Sequence, residues 1–595
     1  MYAKPSRTLT RAVCTTALLL IWLGAAGPFA AADEPAPVHI TLHQMVPADG
    51  NSRLAATIWR PAGGDQPLPT VMVMTPYISD ETHERAMRFA RAGYAYVSVD
   101  VRGRGTSEGR FTPAYGNGPD GAAVIRWIRK QPWSDGRVAT RGGSYRGMVQ
   151  WQVMAEHPEG LAAAIPTASV YPGHDVPSPN GIMMSYTARW LAFVSGKTRN
   201  GELFADNDYW RRQYVDRYLD QVPFATLAPL AGTNRDVFLK WLDHPAYDDF
   251  WKAYNPTPRD YAKINLPILT ITGYFDGDQP GALRYYREFM ANAPEAARRE
   301  HYLLMGPWTH HGTREPAAEV GGSKFPDNAT PDMDQLQIDW LNWVLKDGER
   351  PDLLKDRVTY YVMGGNADEW RHADSLEALS PGSRKLYLSS PEGEPKSVFE
   401  AGTLTPDRPD QQDDDTYRYD PRELKEHDTL LEDNSERFLV DPRTAYGDNV
   451  LVYHGAPLAE PLTIAGQARL VANVAMDVPD TDVAAEIQAI LPDGSTLVLG
   501  DDAMRARFRN GPSPELVKSG EVNRFVFDDF FFTVRQLPAG SRLRLVVYPL
   551  DSPAWLRNLN SGGRLGYEKI EDARVANVRL KIGGEQASYL ELPVQ

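Results

Sequence analysis

The stretch Arg137-Val-Ala-Thr-Arg-Gly-Gly-Ser-Tyr-Arg-Gly-Met148 decides the fold. It opens as a short run of strand-forming residues, passes through two glycines to Ser144, and continues into a helical pattern from Met148 to Glu156. A strand, a sharp turn, a serine and a helix together form the context of a nucleophile elbow. Glycines let the chain bend and let strand and helix approach closely. Ser144 is therefore predicted to project its hydroxyl outward, where the helix N-terminus favours a developing negative charge.

A second serine matches the generic Gly-x-Ser-x-Gly pattern more literally. It is Ser107, in Gly105-Thr-Ser-Glu-Gly109, and it also follows a predicted strand, Tyr94 to Asp100. The next residues, 110–119, contain two prolines and two glycines and cannot form the helix that an elbow requires. The prediction therefore rejects Ser107 and keeps Ser144.

Composition indicates a large, acidic globular protein. The chain has 595 residues, of which 42% are hydrophobic, and a formal net charge of −15. This length allows about three domains, each with its own core. The acidic balance argues against binding to nucleic acid or to anionic membrane surfaces. Its simplest role is to keep the protein soluble.

The N-terminus has the pattern of an export signal. Basic residues precede an apolar run, Ala17 to Leu23, which is too short to span a bilayer, and Ala30-Ala-Ala32 follows as a cleavage site. Residues 1–32 are therefore predicted to be a cleaved signal peptide, which implies a periplasmic or secreted protein with no membrane contact after cleavage. The only cysteine, Cys14, lies inside this segment, so the mature chain would have neither a disulfide nor a thiol nucleophile.

Strands and helices alternate on both sides of the elbow. The buried-type run Thr70–Met74, a helical stretch, and the strand Tyr94–Asp100 precede it, and further strands follow at Leu266–Thr272 and His301–Met305. This alternation predicts a parallel sheet covered on both faces, and hence the α/β class. Residues 33–170 and 255–352 are assigned to this domain. Residues 171–254 interrupt the rhythm with aromatic side chains at helical spacing and are predicted to be an inserted helical cap.

The last part of the chain, residues 353–595, changes character. Short strands follow one another with turn-rich segments between them, beginning with Val358–Met363, and no long helical pattern intervenes. This predicts an all-β sandwich, interpreted as a C-terminal jelly-roll domain.

Two predicted strands run into loops that carry the partners a serine nucleophile needs. One leads into Gly273-Tyr-Phe-Asp-Gly-Asp278 and the other into Gly306-Pro-Trp-Thr-His-His311. Acid and base thus follow the serine in the order typical of α/β-hydrolases. Loop position alone leaves the orienting acid open between Asp276 and Asp278, and the base open between His310 and His311.

The motifs resemble those of the cocaine-esterase-like hydrolases, the CocE/NonD type of serine hydrolase. This group includes α-amino-acid ester hydrolases, glutaryl cephalosporin acylases and, more distantly, X-prolyl dipeptidyl peptidases. The resemblance rests on four motifs: Asp100-Val-Arg-Gly-Arg-Gly-Thr-Ser-Glu-Gly109, Gly142-Gly-Ser-Tyr-Arg-Gly147, Gly273-Tyr-Phe-Asp276 and Gly306-Pro-Trp-Thr-His310. Asp480-Thr-Asp482 and Gly540-Ser-Arg-Leu-Arg-Leu545 are also similar. The resemblance implies an α/β-hydrolase domain with an inserted helical cap, followed by a jelly roll.

The resemblance also implies roles for individual residues. It places the catalytic triad on Ser144, Asp276 and His310. It forms the oxyanion hole from the amide of Tyr145 and the hydroxyl of Tyr77, which ends a predicted central strand. A phenol placed there can donate to a forming oxyanion. The expected enzyme is a secreted serine hydrolase that cleaves acyl esters through an acyl-enzyme intermediate.

Substrate choice stays open at this point. α-Amino-acid ester hydrolases bind the substrate ammonium group with a carboxylate cluster, which this chain matches only partly through Asp278 and Asp175. Trp190 is a candidate for apolar contact with the substrate. β-Lactam acylase and X-prolyl dipeptidyl peptidase activities are alternatives, as is a non-enzymatic protein that binds carbohydrate through the jelly roll. The expected partner is a small ester or amide, with no metal or organic cofactor; a homo-oligomer is one open outcome.

Overall fold

The computed structural model describes residues 36–63, 66–365, 367–410, 412–424 and 449–595. The predicted signal peptide, residues 1–32, and its cleavage site lie outside these ranges. None of the helices within the described ranges is long and apolar enough to cross a membrane.

Ten of the first twelve strands form one sheet, and β9 and β10 pair only with each other. The order across the large sheet is β1-β2-β4-β3-β5-β6-β7-β8-β11-β12. The twelve strands are β1 (Val38–Pro47), β2 (Arg53–Pro61), β3 (Leu68–Thr75), β4 (Ala95–Asp100), β5 (Ser134–Gly143), β6 (Leu161–Thr167), β7 (Ile268–Phe275), β8 (His301–Thr309), β9 (Glu319–Val320), β10 (Ser323–Lys324), β11 (Val358–Val362) and β12 (Glu369–Ala373).

The centre of this sheet, from β4 to β11, is parallel, whereas both edges are closed by antiparallel strands. Parallel strands need crossovers, which place helices on both faces and bury the strands completely. Accordingly, every residue of β4 and β7 is buried. The β-branched and apolar runs that predicted these strands are the consequence of that two-sided burial.

Six helices cover the two faces. Alternate side chains of β3 enter opposite cores: Met72 and Met74 pack with α2 and α3, and Val71 and Val73 pack with α1 and α12. The helices are α1 (His83–Arg91), α2 (Asn117–Ile128), α3 (Tyr145–Ala155), α10 (Gln279–Asn292), α11 (Glu295–Arg299) and α12 (Met333–Lys346). The α/β class predicted from the sequence is confirmed.

Between β6 and β7 the chain forms the expected helical insertion. Its helices are α4 (Tyr186–Phe193), α5 (Gly201–Ala205), α6 (Asn207–Leu219), α7 (Arg235–Leu242), α8 (Asp249–Lys252) and α9 (Pro258–Tyr261). The aromatic residues that predicted this insertion differ in how deeply they are buried. Trp210, Phe238 and Trp241 are buried in a core shared with β3, whereas Tyr186 is 40% exposed.

One strand lies in a different sheet from the one expected. The run beginning at Val358 was assigned by its pattern to the C-terminal β domain, but β11 pairs in parallel with β8, and β12 then closes the first sheet. A short apolar strand after a helix has the same pattern in either sheet, because its two-residue period does not identify its neighbour.

Within its described residues the C-terminal part is all-β, and the thirteen strands found there belong to one hydrogen-bonded sheet system. Alternate side chains of these strands fill one large core, and a smaller apolar cluster that includes Val452, Ala484 and Val546 lies apart from it. The strands are β13 (Gly382–Ser389), β14 (Gly402–Thr405), β15 (Asp413–Tyr419), β16 (Leu451–Gly455), β17 (Leu462–Gly466), β18 (Arg469–Met476), β19 (Asp482–Ile490), β20 (Thr496–Arg505), β21 (Val522–Phe527), β22 (Thr533–Leu537), β23 (Arg542–Pro549), β24 (Ala576–Ile582) and β25 (Tyr589–Val594).

This β domain contacts the α/β domain beside the strand ends. Backbone hydrogen bonds join Met363, just after β11, to Val534 and Gln536 of β22. The side chains of Phe532 and Val534 pack in one core with Tyr274 and Phe275 of β7. The C-terminal domain therefore supports the loop that follows β7.

Candidate active site

Ser144 occupies the strained position of a nucleophile elbow. Its φ of 64° lies in the left-handed region, which a residue with a side chain adopts at an energetic cost. Its amide donates to the carbonyls of Thr167 and Ala168 at 3.0 and 2.9 Å, which holds the turn against the end of β6. A Cβ on Gly147 would lie 2.4 Å from the Ser169 hydroxyl, so only glycine allows α3 this close to the sheet.

The sheet brings the three predicted catalytic side chains to one edge. Ser144 follows β5, Asp276 follows β7 and His310 follows β8, and these strands are parallel. The loops also meet through Arg314, whose Nη2 donates to the His310 carbonyl at 3.0 Å. Its Nη1 lies 3.1 Å from the position that a Cβ on Gly143 would occupy. The loop of His310 and the turn of Ser144 are thus in contact.

Asp276 and His310 are hydrogen bonded. Asp276 is fully buried, and its Oδ1 lies 2.8 Å from His310 Nδ1. The same oxygen accepts the Asp278 amide at 2.9 Å. Asp278 Oδ2 lies farther from His310 Nδ1, at 3.3 Å. This geometry favours Asp276 over Asp278 as the acid that orients the ring, and both carboxylates approach Nδ1 rather than Nε2.

The second histidine of the motif lies outside this arrangement. The side chain of His311 is 72% exposed and faces Glu315 at 3.7 Å. The structure thus separates two neighbours that loop position could not distinguish, because adjacent residues of a tight turn point in different directions.

The two carboxylates shift the titration of the histidine. Burial alone would lower the pKa of His310, but the charges of Asp278 and Asp276 outweigh it and raise that pKa. Burial also raises the pKa of Asp278 well above its ordinary value, against the opposing charge of His310. Ligand atoms of these three residues lie within 4.8 Å of one another, a spacing that a cation could also use. An Nδ1–H donated to Asp276 leaves no lone pair on that nitrogen for a metal.

Tyr77 lies beside Ser144 with its hydroxyl hydrogen available. Trp190 Nε1 donates to the Tyr77 hydroxyl oxygen at 3.1 Å. Since an indole N–H is only a donor, it occupies a lone pair and leaves the phenolic hydrogen to donate elsewhere. Burial raises the pKa of Tyr77, against opposing contributions from Trp190, Arg146 and a hydrogen bond with Ser144. Tyr77 therefore remains a protonated donor at neutral pH.

Tyr145 offers its amide at the same place. It is the first residue of α3, directly after Ser144, so its N–H is one of the helix-start amides that have no partner within a helix. Its side chain points away into the core, where the hydroxyl accepts from the Ala114 amide at 3.1 Å. An amide and a phenol thus both lie beside Ser144.

The predicted ammonium-binding group Asp175 is engaged elsewhere. It is 5% exposed, and its Oδ1 accepts the Tyr171 amide at 2.7 Å. Its carboxylate also packs against Gly281 so closely that a Cβ there would lie 2.0 Å from Oδ2. Burial raises its pKa well above the ordinary value. Asp278 and Asp175 thus lie in the same region, but Asp175 braces the start of α10.

Sequence reasoning missed the role of Gln279. This buried side chain donates to the carbonyls of Gly273 and Phe532 at 3.0 and 2.9 Å, and it accepts the Phe532 amide at 2.7 Å. An amide can donate and accept together, whereas a carboxylate could not donate. Gln279 therefore ties the Asp276 loop to the C-terminal domain. The only signal in the sequence is that Gln279 directly follows Asp278.

Arg104, within the first of the four motifs, holds the backbone next to Tyr77. It is fully buried and donates to the carbonyls of Pro76 at 2.8 Å, Val194 and Thr198 at 2.9 Å, and Gly196. It therefore joins the residue before Tyr77 to the end of α4, the helix that carries Trp190. Ser107 of the same motif is fully buried, and its Oγ donates to the Asp100 carbonyl at 2.7 Å.

The chain is similar to known proteins along most of its length. The family described as X-Pro dipeptidyl-peptidase (S15 family) matches residues 49–312, and the X-Pro dipeptidyl-peptidase C-terminal non-catalytic domain matches residues 354–591. A cocaine esterase from Rhodococcus sp. (strain MB1 Bresler) is 28% identical over 579 residues, which cover 92% of this chain and 97% of that protein. The chain belongs to the CocE/NonD family of serine hydrolases.

The fold of this CocE/NonD hydrolase is also that of solved structures. An aminopeptidase from a marine sediment Thaumarchaeota archaeon superposes with a TM-score of 0.79 at 23% identity, covering 94% of this chain and 96% of its own. An α-amino acid ester hydrolase superposes with a TM-score of 0.78 at 22% identity, covering 96% and 99%. These likenesses concern the fold. The esterase relative and the matched S15 family make this CocE/NonD protein a serine hydrolase, and the solved structures share its fold of an α/β domain with an all-β C-terminal domain.

Proposed function

We propose that this serine hydrolase cleaves acyl esters, with Ser144 as nucleophile, His310 as general base and acid, and Asp276 as the orienting carboxylate. The amide of Tyr145 and the hydroxyl of Tyr77 form the oxyanion hole. The observation that carries the proposal is the 2.8 Å contact of buried Asp276 with His310 Nδ1, at the sheet edge where Ser144 is held at a φ of 64°.

In the first half of the reaction, His310 Nε2 takes the proton from Ser144 as its oxygen attacks the acyl carbon. Asp276 stabilises the imidazolium that forms. Negative charge moves to the carbonyl oxygen, where a phenol and an amide can donate to it. His310 then returns the proton to the leaving alkoxide, the carbon–oxygen bond breaks, and an acyl-Ser144 ester remains.

In the second half, water takes the place of the alcohol. His310 removes a proton from the water, which attacks the acyl carbon, and the same oxyanion hole holds the second tetrahedral intermediate. When this intermediate collapses, His310 returns the proton to Ser144 and the carboxylic acid leaves. No step requires a group that the chain does not supply.

The test compares two serines that both match an elbow pattern. Ser144→Ala should lower kcat for a 4-nitrophenyl ester by about 10⁶-fold, the loss typical of a triad nucleophile. Ser107→Ala removes a buried structural hydroxyl and should leave kcat within about tenfold while lowering the thermal midpoint. Hydrolysis that survives in Ser144→Ala and is lost in folded Ser107→Ala would contradict the proposal.

Plain acyl esters are the proposed substrates, rather than esters that need an α-amine. The Asp175 carboxylate accepts from the Tyr171 amide and packs against Gly281, and Asp278 faces His310 at 3.3 Å, so both carboxylates are already engaged where an ammonium group would need them. The expected ratio of kcat/KM for a phenylglycine ester over its phenylacetate counterpart is near one. A ratio above about 30, abolished by Asp278→Asn, would instead establish the second candidate, α-amino-acid ester hydrolysis.

The remaining alternatives rank lower. A β-lactam acylase or an X-prolyl dipeptidyl peptidase would also use an acyl-Ser144 intermediate, but each needs further recognition of its leaving amine or N-terminus. Turnover of a β-lactam side-chain amide or an X-Pro nitroanilide faster than the ester would favour them. Carbohydrate binding without catalysis is set aside, because the chain belongs to a family of serine hydrolases.

We also propose that the protein is exported and processed. The support is the basic, apolar and Ala30-Ala-Ala32 pattern of the N-terminus. N-terminal sequencing of protein from the periplasm or medium should start near Asp33. A cytoplasmic protein that retains Met1 would contradict the proposal.

A further inference from the structure

One side chain of the helical cap contacts both residues that are proposed to form the oxyanion hole. Trp190, on α4, donates its indole N–H to the Tyr77 hydroxyl at 3.1 Å. Its ring also stacks on the Tyr145 ring, with centroids 5.8 Å apart and planes inclined by 26°. The reaction proposed above uses neither contact. Packing within the cap does not by itself explain an indole that faces the oxyanion hole in two ways.

The indole N–H sets the direction of the phenolic hydrogen. A phenol oxygen carries one hydrogen to donate and lone pairs that accept, and the hydrogen prefers one of two directions in the plane of the ring. An N–H that donates to this oxygen from the cap occupies one of those directions. The Tyr77 hydroxyl also interacts with the Ser144 side chain. With Trp190 in place, the phenolic hydrogen is therefore directed toward Ser144, where the oxyanion forms.

The same hydrogen bond makes the phenol a stronger donor. A hydroxyl that accepts a hydrogen bond is polarised by it, and hydrogen bonds in a chain reinforce one another where the dielectric is low. Burial raises the pKa of Tyr77, and the hydrogen bond from Trp190 is the largest of the influences that oppose this rise. Tyr77 is 8% exposed, so little water is available to supply the same hydrogen bond.

The donor and its acceptor are both held by neighbouring rings. Tyr77 stacks on Phe193, one turn farther along α4, with centroids 5.2 Å apart. Trp190 stacks on Trp241 of α7 at 6.3 Å, with planes inclined by 16°. Arg104 ties the end of α4 to the backbone next to Tyr77. The two groups are thus in place before a substrate binds, as electrostatic preorganisation requires.

We propose that Trp190 is a positioning residue of the oxyanion hole, which acts on the tetrahedral intermediate through the Tyr77 hydroxyl. It directs the phenolic hydrogen at the oxyanion and strengthens its donation. Because the negative charge develops only toward the transition state, the effect lies in kcat and not in KM. Both halves of the reaction pass through the same oxyanion, so both depend on Trp190. This role rests on the proposed ester hydrolysis and differs from the apolar substrate contact expected of Trp190.

The first test removes the N–H in two ways. Trp190→Phe keeps an aromatic ring for the stack, and Trp190→Met fills the space with a flexible side chain. Both should lower kcat for 4-nitrophenyl acetate by about tenfold, as expected for loss of one hydrogen bond, and should leave KM within about twofold. The thermal midpoint reports whether each variant is folded. Losses of kcat that differ between the two shapes and are accompanied by changes in KM would overturn the role.

A double-mutant cycle shows whether the effect passes through the phenol. Tyr77→Phe should lower kcat by about 10²-fold, the loss typical of one oxyanion donor. With the phenol removed, adding Trp190→Phe should change kcat by less than about twofold, since the indole has no hydroxyl left to orient. A further tenfold loss in the double variant would mean that Trp190 acts independently of Tyr77, which contradicts the proposal.

Acyl length separates positioning from contact with the substrate. Trp190→Phe should lower kcat by the same factor for 4-nitrophenyl hexanoate as for the acetate, because the oxyanion is the same in both reactions. A loss that grows with the acyl chain and is expressed in KM would make Trp190 a substrate contact alone and would overturn its positioning role.

The matched control is Trp241→Phe. Trp241 is the neighbouring indole of the same stack, but its N–H faces the Tyr254 hydroxyl and not that of Tyr77. This variant makes the same change of ring and the same loss of a donor, and kcat should stay within about twofold of wild type. A tenfold loss of kcat here as well would show that any thinning of the stack slows the enzyme, and would overturn the assignment to the Trp190 N–H.

The same set of variants reports separately on the proposed function. If Tyr77→Phe and Ser144→Ala lose activity as expected while Trp190→Phe matches wild type, the oxyanion hole stands and the role of Trp190 is wrong. If Tyr77→Phe matches wild type, the phenol is not an oxyanion donor, and the role of Trp190 is wrong together with that part of the proposed function.

Discussion

Two pairs of aspartates, each with one residue between them, have opposite surroundings in this molecule. Asp480 and Asp482 of the C-terminal domain meet Arg507 and Arg505, with distances of 2.8 and 2.7 Å. Asn558 donates to both carboxylates at 2.9 Å. Both acids are buried, and each has a full cation of its own. Such a network holds structure in place, because each charge is compensated.

The pair Asp276 and Asp278 shares a single histidine instead. Asp276 Oδ2 is buried without a hydrogen-bond partner among the described residues, and Asp278 has a raised pKa. His310 can move a proton, whereas an arginine cannot. Two aspartates at the same spacing therefore stabilise the fold where each pairs with its own arginine. They are suited to proton transfer where both face one histidine.

The largest expected effect is a loss of activity, which only a variant of the pair Asp276 and Asp278 should show. Asp276→Asn removes the charge that holds the imidazole and stabilises its protonated form, and kcat should fall by about 10⁴-fold, as for the loss of a triad acid in other serine hydrolases. The thermal midpoint is the control and should change little. If kcat of Asp276→Asn stays within tenfold of wild type while Asp278→Asn loses activity, the roles of the two acids are reversed.

The second effect is on stability. Asp482→Asn leaves Arg505 buried with an uncompensated charge, so we expect a loss of about 3 kcal/mol and a lower thermal midpoint, with kcat unchanged in the folded enzyme. Asp249→Asn breaks an exposed ion pair with Lys252 and should change the midpoint little. Equal midpoints for the two variants would show that the buried network is dispensable.

The smallest effect concerns pH. His310 must be neutral to accept a proton, so kcat/KM should fall below its pKa. Asp278 contributes the largest of the influences that raise this pKa. Asp278→Asn should therefore move the acidic limb of the pH profile to lower pH, measured as kcat/KM on a neutral ester. A limb that moves to higher pH would contradict the assigned electrostatics.

Much of the fold could be predicted from the sequence, because burial on both faces leaves continuous apolar runs. The strands β3, β5 and β7 could be predicted for this reason. The turn at Ser144 could be predicted from its glycines, which allow the strand and the helix to approach closely. The sheet that receives Val358 could not be predicted, since strand pairing is a non-local choice. The family assignment came from motifs, which survive where overall identity is low.

The candidate site was predictable as a set of loops but not as a set of contacts. Asp276 and Asp278 lie two residues apart on one loop, and only side-chain direction distinguishes their distances to His310. Likewise, the carboxylate of Asp175 could pair with an ammonium group, but in the structure it accepts a hydrogen bond from the Tyr171 amide. The bridge between Gln279 and Phe532 joins residues far apart in the chain, which no local pattern reports.

The central claim is that Ser144 carries the acyl group during turnover. The most direct measurement mixes the enzyme with 4-nitrophenyl acetate, quenches the reaction in acid within the first turnover, and locates the acetyl group by peptide mass spectrometry. The account predicts one acetyl group per chain on the peptide that contains Ser144, and none in Ser144→Ala. Acetylation of another residue with the kinetics of turnover, or turnover without acetylation of Ser144, would contradict it.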